Sequence, residues 1–341
     1  MSQQRFTLPD ILLNWPSASH ISPFYEDAKR ASSTWVESFS PFDRKGQDAF
    51  NACDLNLLAA LAYSNRNAEF VRVGCDFMNL IFVFDEYTDV AEPIVARQLT
   101  ETVLDAMRNP KKTSRHGEHL LGEMTRQFWV GATALEGVNT GAANHFIAAM
   151  EFYIESVAVE AKDRAEKRVR SVEEYLKLRR GTVAGHSMLA LTEFGLNLPD
   201  EVLNHPVIVA LREAAVEMIL IVNDMQSYIS EVSSGLGDHN LVTAIIHEHH
   251  LELQDAFNWL GDYSDKIVAG FNENLQKLPS FGEELDKRVK IYVDGCGQWP
   301  RGEDDWSYET KRYHGDDGPQ VRKTRQVTLR QVKGNYVVRN N

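Results

Sequence analysis

Cysteine is scarce: Cys53, Cys75 and Cys296 are the only three in 341 residues, and their spacing matches neither a metal-binding pattern nor a disulfide framework. A reducing, cytoplasmic setting is the expectation. Long apolar runs are also missing. Segments such as Leu80–Phe84 are far too short to cross a bilayer, and Met1–Pro9 holds no apolar stretch of signal-peptide length. A soluble protein with no stable membrane insertion is therefore expected. Excess basic charge is absent too, since 36 Lys and Arg face 49 Asp and Glu for a net charge of -13. That balance argues against nucleic acid as a partner, because phosphate-backbone binding needs a basic surface. Alternating strand patterns, internal repeats and Pro- or Gly-rich linkers are lacking as well. With 43% hydrophobic residues the chain can still bury a large core, and an all-α domain is the consequent reading.

What is present is helical periodicity. Pro9, Pro16 and the polar stretch Ser17–His20 break up residues 1–22, which read as an irregular N-terminal arm. Ser22–Pro23 then offers an N-cap and a first-turn proline for a helix over Tyr25–Phe39. Further helices are expected at Lys45–Tyr63, Asn65–Tyr87, Ile94–Arg108, Glu118–Leu135, Ala142–Arg170, Val172–Glu193 and Pro206–Glu231, within roughly ten to twelve in all. Gly181 and Gly185 fall inside one of them, as a helix break or as points of close packing. Residues 23–319 are read as one domain, and 320–341, basic and free of acid, as a disordered tail.

Asn223, Ser227 and Glu231 recur at i, i+4 and i+8, so a helix stacks an amide oxygen, a hydroxyl and a carboxylate on one face. Such a hard, oxygen-only set suits Mg²⁺, although the polar side of an amphipathic helix reads the same way. Val216, Ile219 and Leu220, one turn earlier, are apolar. A second stretch, residues 76–89, runs apolar and ends in Asp85, Glu86 and Asp89. Asp85 and Asp89 share a helical face, with Ile81 and Phe82 one turn below. Carboxylates beside so much apolar surface are costly unless a cation neutralises them. Both stretches thus place Mg²⁺ ligands at the C-terminal end of an apolar helix, and Mg²⁺ can bridge carboxylates to phosphate despite the acidic net charge.

Together these motifs resemble those of the class I terpene synthases, and more closely the sesquiterpene cyclases of mushroom-type fungi. Asp85-Glu86-Tyr87-Thr88-Asp89 is similar to the aspartate-rich motif, and Asn223-Asp224-x-x-Ser227-x-x-x-Glu231 to the NSE triad. Arg179-Arg180 before the triad and Arg312-Tyr313 near the C-terminus have the expected order. The resemblance implies a single-domain helical bundle around a central apolar cavity. It implies a cyclase that ionises farnesyl diphosphate with three Mg²⁺ ions, as monomer or homodimer, with the N-terminal arm closing over the site or simply packed. Asp85, Asp89, Asn223, Ser227 and Glu231 would be the metal ligands, although the later aspartate of the motif often organises the site without binding metal.

Arg179 is chosen over Arg180 as the diphosphate sensor, because Thr182 then falls at the linker position. Arg312 and Tyr313 would donate to the diphosphate. Guanidinium suits the task because its fork donates bidentately to phosphate oxygens. Phe82 and Trp306 would face the carbocation, since aromatic faces steady a cation without reacting with it, while Phe77 is assigned to the core. Ser230 stands where many relatives carry a lysine, with Lys311 or the basic tail as candidate replacements. Leu8-Pro9-Asp10 and Asn14-Trp15-Pro16 look most like the clade that closes a 1,11 ring to a humulyl cation and yields protoilludene-type products.

Other readings are weaker. His247-Glu248-His249-His250 lacks zinc spacing and reads as a solvated helix end. A chain-elongating prenyl diphosphate synthase should carry a second aspartate-rich motif where Asn223, Ser227 and Glu231 stand. A phosphohydrolase should carry His-Asp pairs that are missing. A non-catalytic helical protein with a degenerate Mg²⁺ and diphosphate site would bind without turnover.

Overall fold

A computed structural model describes residues 5–113 and 117–329. Among these residues the chain forms fifteen α-helices and one two-stranded antiparallel ribbon, Arg5–Thr7 with Gln326–Thr328. None of the helices is long and apolar enough to cross a membrane. Local chemistry starts and stops them. Asn67 caps the helix Ala68–Thr88, its side chain accepting from the Phe70 N–H at 3.0 Å. Gly235, at φ 81°, closes the helix Pro206–Ser234.

Two expected helices are each split. The Lys45–Tyr63 segment breaks into Arg44–Ala52 and Leu55–Ala62 around Asp54, whose φ of 46° and side-chain bond to the Leu57 N–H restart the chain. Val172–Glu193 breaks into Val172–Thr182 and Gly185–Thr192 at Ala184, φ 57°. An alanine there stores strain of about 1 kcal/mol, a cost that structures carry most often beside functional sites. Gly181 is a packing position instead: a Cβ on it would stand 2.0 Å from Ser156 Oγ, so its absence lets this helix press onto Thr140–Glu166.

The packing frames a central space. Every residue of Leu55–Ala62 is buried, and that helix sits between Ala68–Thr88 and Glu283–Glu309. Pro206–Ser234 packs on Glu283–Glu309 from one side and on Leu253–Gln276 from another. Gly302 permits a close approach of Glu283–Glu309 to Leu55–Ala62, since a Cβ on it would lie 2.9 Å from the Ala62 nitrogen.

The N-terminal arm is packed down. Phe6 stacks on Phe257 at 4.7 Å, Trp15 lies 4.2 Å from the Phe271 ring, and Trp15 Nε1 donates to the Gly297 carbonyl at 2.6 Å. The tail differs from expectation as far as it is described. Gly318–Thr324 is helical and Gln326–Thr328 is strand, because Val321 and Val327 bury apolar surface while Arg322 pairs with the buried Asp305 and Arg325 with Asp10. Residues 330–341 of the expected tail lie outside the described residues.

Candidate active site

A cavity of about 430 Å³ opens where several helix C-termini converge. Leu58, Ile81, Val157, Val183, Met188 and Trp299 give it apolar walls, and its polar lining comes from the C-terminal parts of Ala68–Thr88, Thr140–Glu166, Val172–Thr182, Pro206–Ser234 and Glu283–Glu309 and from the segment after the last. Helix C-termini carry partial negative charge, so this convergence adds to the carboxylates in demanding a cation.

Asp85 and Asp89 stand on one side. Tyr153 Oη donates to Asp85 Oδ1 at 2.5 Å, and burial, with the nearby Asp89 charge, pushes the Asp85 carboxyl up to about 8. Asp89 is 39% exposed; burial lifts it to about 6 against the pull of Arg164, whose Nη1 is 3.7 Å away. Arg164 also donates to Glu160 at 2.8 Å and to the Thr88 carbonyl at 2.9 Å.

The triad faces them across the mouth. Asn223 Oδ1 accepts from Arg179 Nη2 at 2.6 Å, and Asn223 Nδ2 donates to Glu303 Oε1 at 3.0 Å and to Tyr313 Oη at 3.3 Å. Ser227 Oγ is buried without a hydrogen-bond partner in good geometry; its neighbour is the Glu231 carboxylate, whose ionised form it favours. Burial first, then the Asp224 charge, lifts Glu231 to about 7, although Asn240 Nδ2 donates to it at 2.9 Å. Asp224 lies beneath, fully buried and fully bonded: Arg179 Nε donates to Oδ1 at 2.8 Å, and Tyr175 Oη and the Leu241 N–H donate to Oδ2 at 2.6 and 2.8 Å.

Of the two neighbouring arginines, Arg179 lines the cavity and donates to Thr182 Oγ1 at 3.3 Å, while Arg180 turns away to a two-bond pair with Glu217. Arg312 and Tyr313 both line the cavity, with Arg312 Nη1 donating to Glu86 at 3.2 Å and its guanidinium carbon 5.1 Å from the centre of the Phe82 ring. Phe82 forms part of the wall. Trp306, expected beside it, stands one layer behind: its ring is fully buried, edge-on to Phe82 and Tyr313, with Nε1 donating to the Cys53 and Asp54 carbonyls. The wall position belongs to Trp299, two turns earlier on the same helical face. Phe77 is core, stacked on Phe128 at 5.4 Å.

Lys311 pairs with Asp316, Arg322 with Asp305 and Glu309, and Arg325 with Asp10; none of these, nor Lys323, lines the cavity. Arg164 does, and sequence reading missed it together with Tyr153, Asp224, Glu303 and Trp299. A signal existed for two of these: 153, 157, 160 and 164 follow i, i+4, i+7, i+11, one face of a single helix. His247–His250 end the helix Leu241–His249 and the turn after it, with Glu248 accepting from the Val172 N–H and His249 tilted against Trp259.

The donor set fits a hard divalent cation. All five candidate ligands offer oxygen, and three are carboxyls that burial pushes up and that a positive charge would bring back down, beside a buried hydroxyl with no bond in good geometry. No cluster of three or more His, Cys, Asp or Glu forms a closed metal site among the described residues. Ligands split between facing helices suit instead a metal shared with a phosphorylated substrate.

Comparison with known proteins agrees. Residues 76–269 match the family model "Terpene synthase family 2, C-terminal metal binding". Sesquiterpene synthase Agr8 of Cyclocybe aegerita is 54% identical over 337 residues, covering 99% of this chain and 95% of that protein. A Delta(6)-protoilludene synthase of Armillaria gallica is 41% identical, covering 96% of this chain and 94% of its own length. The fold is that of linalool/nerolidol synthase from Streptomyces clavuligerus (TM-score 0.76, 19% identity, 88% of this chain and 99% of that one) and of germacradien-4-ol synthase from Streptomyces citricolor (0.74, 21%, 85% and 98%). With the motifs in order along the chain, the two oxygen sets facing across one apolar cavity and relatives alike over almost the whole length, the chain belongs to the terpene synthase family.

Proposed function

We propose that this protein is a Mg²⁺-dependent sesquiterpene cyclase that ionises farnesyl diphosphate and cyclises the resulting carbocation to a hydrocarbon. The observation that carries this is the apolar cavity capped by two facing sets of oxygen-bearing residues, one with a buried hydroxyl that makes no hydrogen bond in good geometry. Asp85 and Asp89 on one side, and Asn223, Ser227 and Glu231 on the other, would hold three Mg²⁺ ions, which supply Lewis-acid stabilisation of the leaving diphosphate.

The protein's own residues do the rest. Arg179, Arg312 and Tyr313 donate to the diphosphate oxygens, so that when the allylic C–O bond breaks its electron pair moves onto an oxygen already facing donors. Arg164, on the acidic side, is positioned to add the cation that Ser230 does not provide. Phe82 and Trp299 line the chamber, where aromatic rings steady a cation without reacting and keep water out, and Trp306 backs Phe82 from behind. The relatives named as Delta(6)-protoilludene synthases support 1,11-closure to a humulyl cation and a protoilludene-type product.

The test is headspace gas chromatography with mass spectrometry on purified protein given farnesyl diphosphate and Mg²⁺, beside Asp85→Asn and Asn223→Ala. A sesquiterpene hydrocarbon that vanishes in both variants is the expected result. No volatile product from farnesyl, geranyl or geranylgeranyl diphosphate would leave a binding protein instead.

A further inference from the structure

Glu303 is a buried acid that no motif explains. It is 4% exposed, lines the cavity, and its Oε2 has no hydrogen-bond partner. Its other oxygen accepts from Asn223 Nδ2 at 3.0 Å. Burying a carboxyl in an apolar wall costs several kcal/mol unless it is well partnered, so its place there calls for a use.

The neighbours of Asn223 show what that use is. A carboxamide has a donor end and an acceptor end, and both fit the available volume when the group rotates by half a turn. Only the oxygen end can ligate a hard metal. In this structure Arg179, which has donors only, faces Oδ1 at 2.6 Å, and Glu303 faces Nδ2. Rotating the amide would set N–H against N–H on one side and oxygen against oxygen on the other. Arg179 and Glu303 thus hold the amide from opposite ends.

We propose that Glu303 is a positioning residue that fixes the Asn223 carboxamide with its oxygen presented to the metal. The role belongs to Oε1 as an acceptor and holds whether or not a proton sits on Oε2. Backbone geometry supports the placement: Gly302 presses the helix Glu283–Glu309 against Leu61 and Ala62, and the Ser307 hydroxyl bonds the Glu303 carbonyl at 2.7 Å, so the side chain is delivered from a rigid element. A glutamine here would keep an acceptor but could turn its own amide; an apolar residue would leave Nδ2 to Tyr313 alone, at 3.3 Å.

The inference rests on Asn223 being a metal ligand, and the experiment separates the two. Mg²⁺ is titrated by thermal shift at fixed inorganic diphosphate, with Mn²⁺ binding followed by electron paramagnetic resonance as a second readout, on wild type, Glu303→Gln, Glu303→Met and Asn223→Ala. Glu303→Leu is a second acceptor-free variant should Glu303→Met not fold. The acceptor-free variant is expected to weaken metal binding about 10-fold or more, as loss of a ligand's supporting partner does. Glu303→Gln should stay within about 3-fold of wild type, and adding Asn223→Ala to the acceptor-free variant should cost no more than Asn223→Ala alone. Wild-type affinity in the acceptor-free variant while Asn223→Ala loses it would overturn the proposal, as would Glu303→Gln failing as badly as Glu303→Met. Unchanged affinity in Asn223→Ala would instead overturn the metal assignment beneath it.

Discussion

The two sides of the active-site mouth are built differently. On the triad side both carboxylate oxygens of Asp224 are bonded, and Arg179, Tyr175, Asn240 and Glu303 tie Asn223, Asp224 and Glu231 into one network. On the acidic side Asp85, Glu86, Asp89 and Glu160 crowd together with only Arg164 and Arg312 lining the cavity among them, and Asp89 is only half-buried. One side is organised before a metal arrives. The other holds unbalanced negative charge that a metal would settle. The lesson is that a symmetric-looking pair of motifs can divide the work, with rigidity on one side and adaptable charge on the other.

The sharpest break of that contrast is by single ligand changes. Asn223→Ala, Glu231→Gln and Asp85→Asn should each lower turnover of farnesyl diphosphate by about 10²–10³-fold, the loss typical of removing a key electrostatic contact. Asp89→Asn, only half-buried and already beside Arg164, should cost less than about 10-fold. Steady-state assays of released diphosphate measure all four; an Asp89→Asn effect as large as that of Asp85→Asn would erase the distinction drawn here.

Next in size is stability. Arg179→Ala leaves the Asp224 carboxylate buried without its guanidinium and should cost about 3–5 kcal/mol in urea unfolding. Arg164→Ala removes a guanidinium as buried as that of Arg179, but its partners Glu160 and Asp89 keep some contact with solvent, so it should cost less, about 2 kcal/mol. Equal losses would show that both sides are equally braced.

The pH response sharpens the contrast without mutation. Asp85 and Glu303 are pushed up to about 8 and Glu231 to about 7, in each case mainly by burial. Each binds its proton more tightly folded than unfolded, so stability is fully present below the unfolded carboxyl range near pH 4 and is lost as pH rises through the folded values. His314, pushed down to about 4 by burial, has the opposite sign, but its unfolded form has released its proton by about pH 7. Metal-free protein should therefore melt roughly 2–4 °C lower at pH 8.5 than at pH 7, and Mg²⁺ with diphosphate should remove that drop. Thermal melts at both pH values, with and without Mg²⁺, decide it; a melting point that rises with pH in metal-free protein would contradict the assignment.

The smallest effect is on product balance. Phe82→Ala opens the wall and should change the ratio of hydrocarbons while leaving metal affinity within about 2-fold. Trp306→Ala acts from the second layer, so it should cost about 3–5 kcal/mol of stability and alter products less than Trp299→Ala does. Product profiles with the same pattern for all three tryptophan and phenylalanine variants would show that the layer makes no difference.

Much of this was legible from local spacing. The i, i+4, i+8 set Asn223, Ser227 and Glu231 and the pair Asp85 and Asp89 fall on helix faces whatever surrounds them, because 3.6 residues per turn is a property of the backbone. The helix start at Pro93 was legible for the same local reason, through first-turn chemistry, whereas the cap at Asn67 falls two residues inside the expected start at Asn65. Asp54 and Ala184 were not, since left-handed residues other than glycine leave little trace in sequence and are held by their surroundings. Arg164 and Glu303 were missed because each reads as an ordinary charge on a helix until a neighbouring helix turns it inward.

By itself, then, the sequence determined an all-α chain with two oxygen-bearing helix faces and the order of its motifs, since periodicity and capping act within a few residues. Only the tertiary structure decided that Trp299 lines the chamber with Trp306 behind it, that Arg322 and Arg325 pair away from the site, and that Glu303 meets Asn223. Those outcomes depend on how helices far apart in the chain rotate against each other, and close packing, not local propensity, sets that rotation.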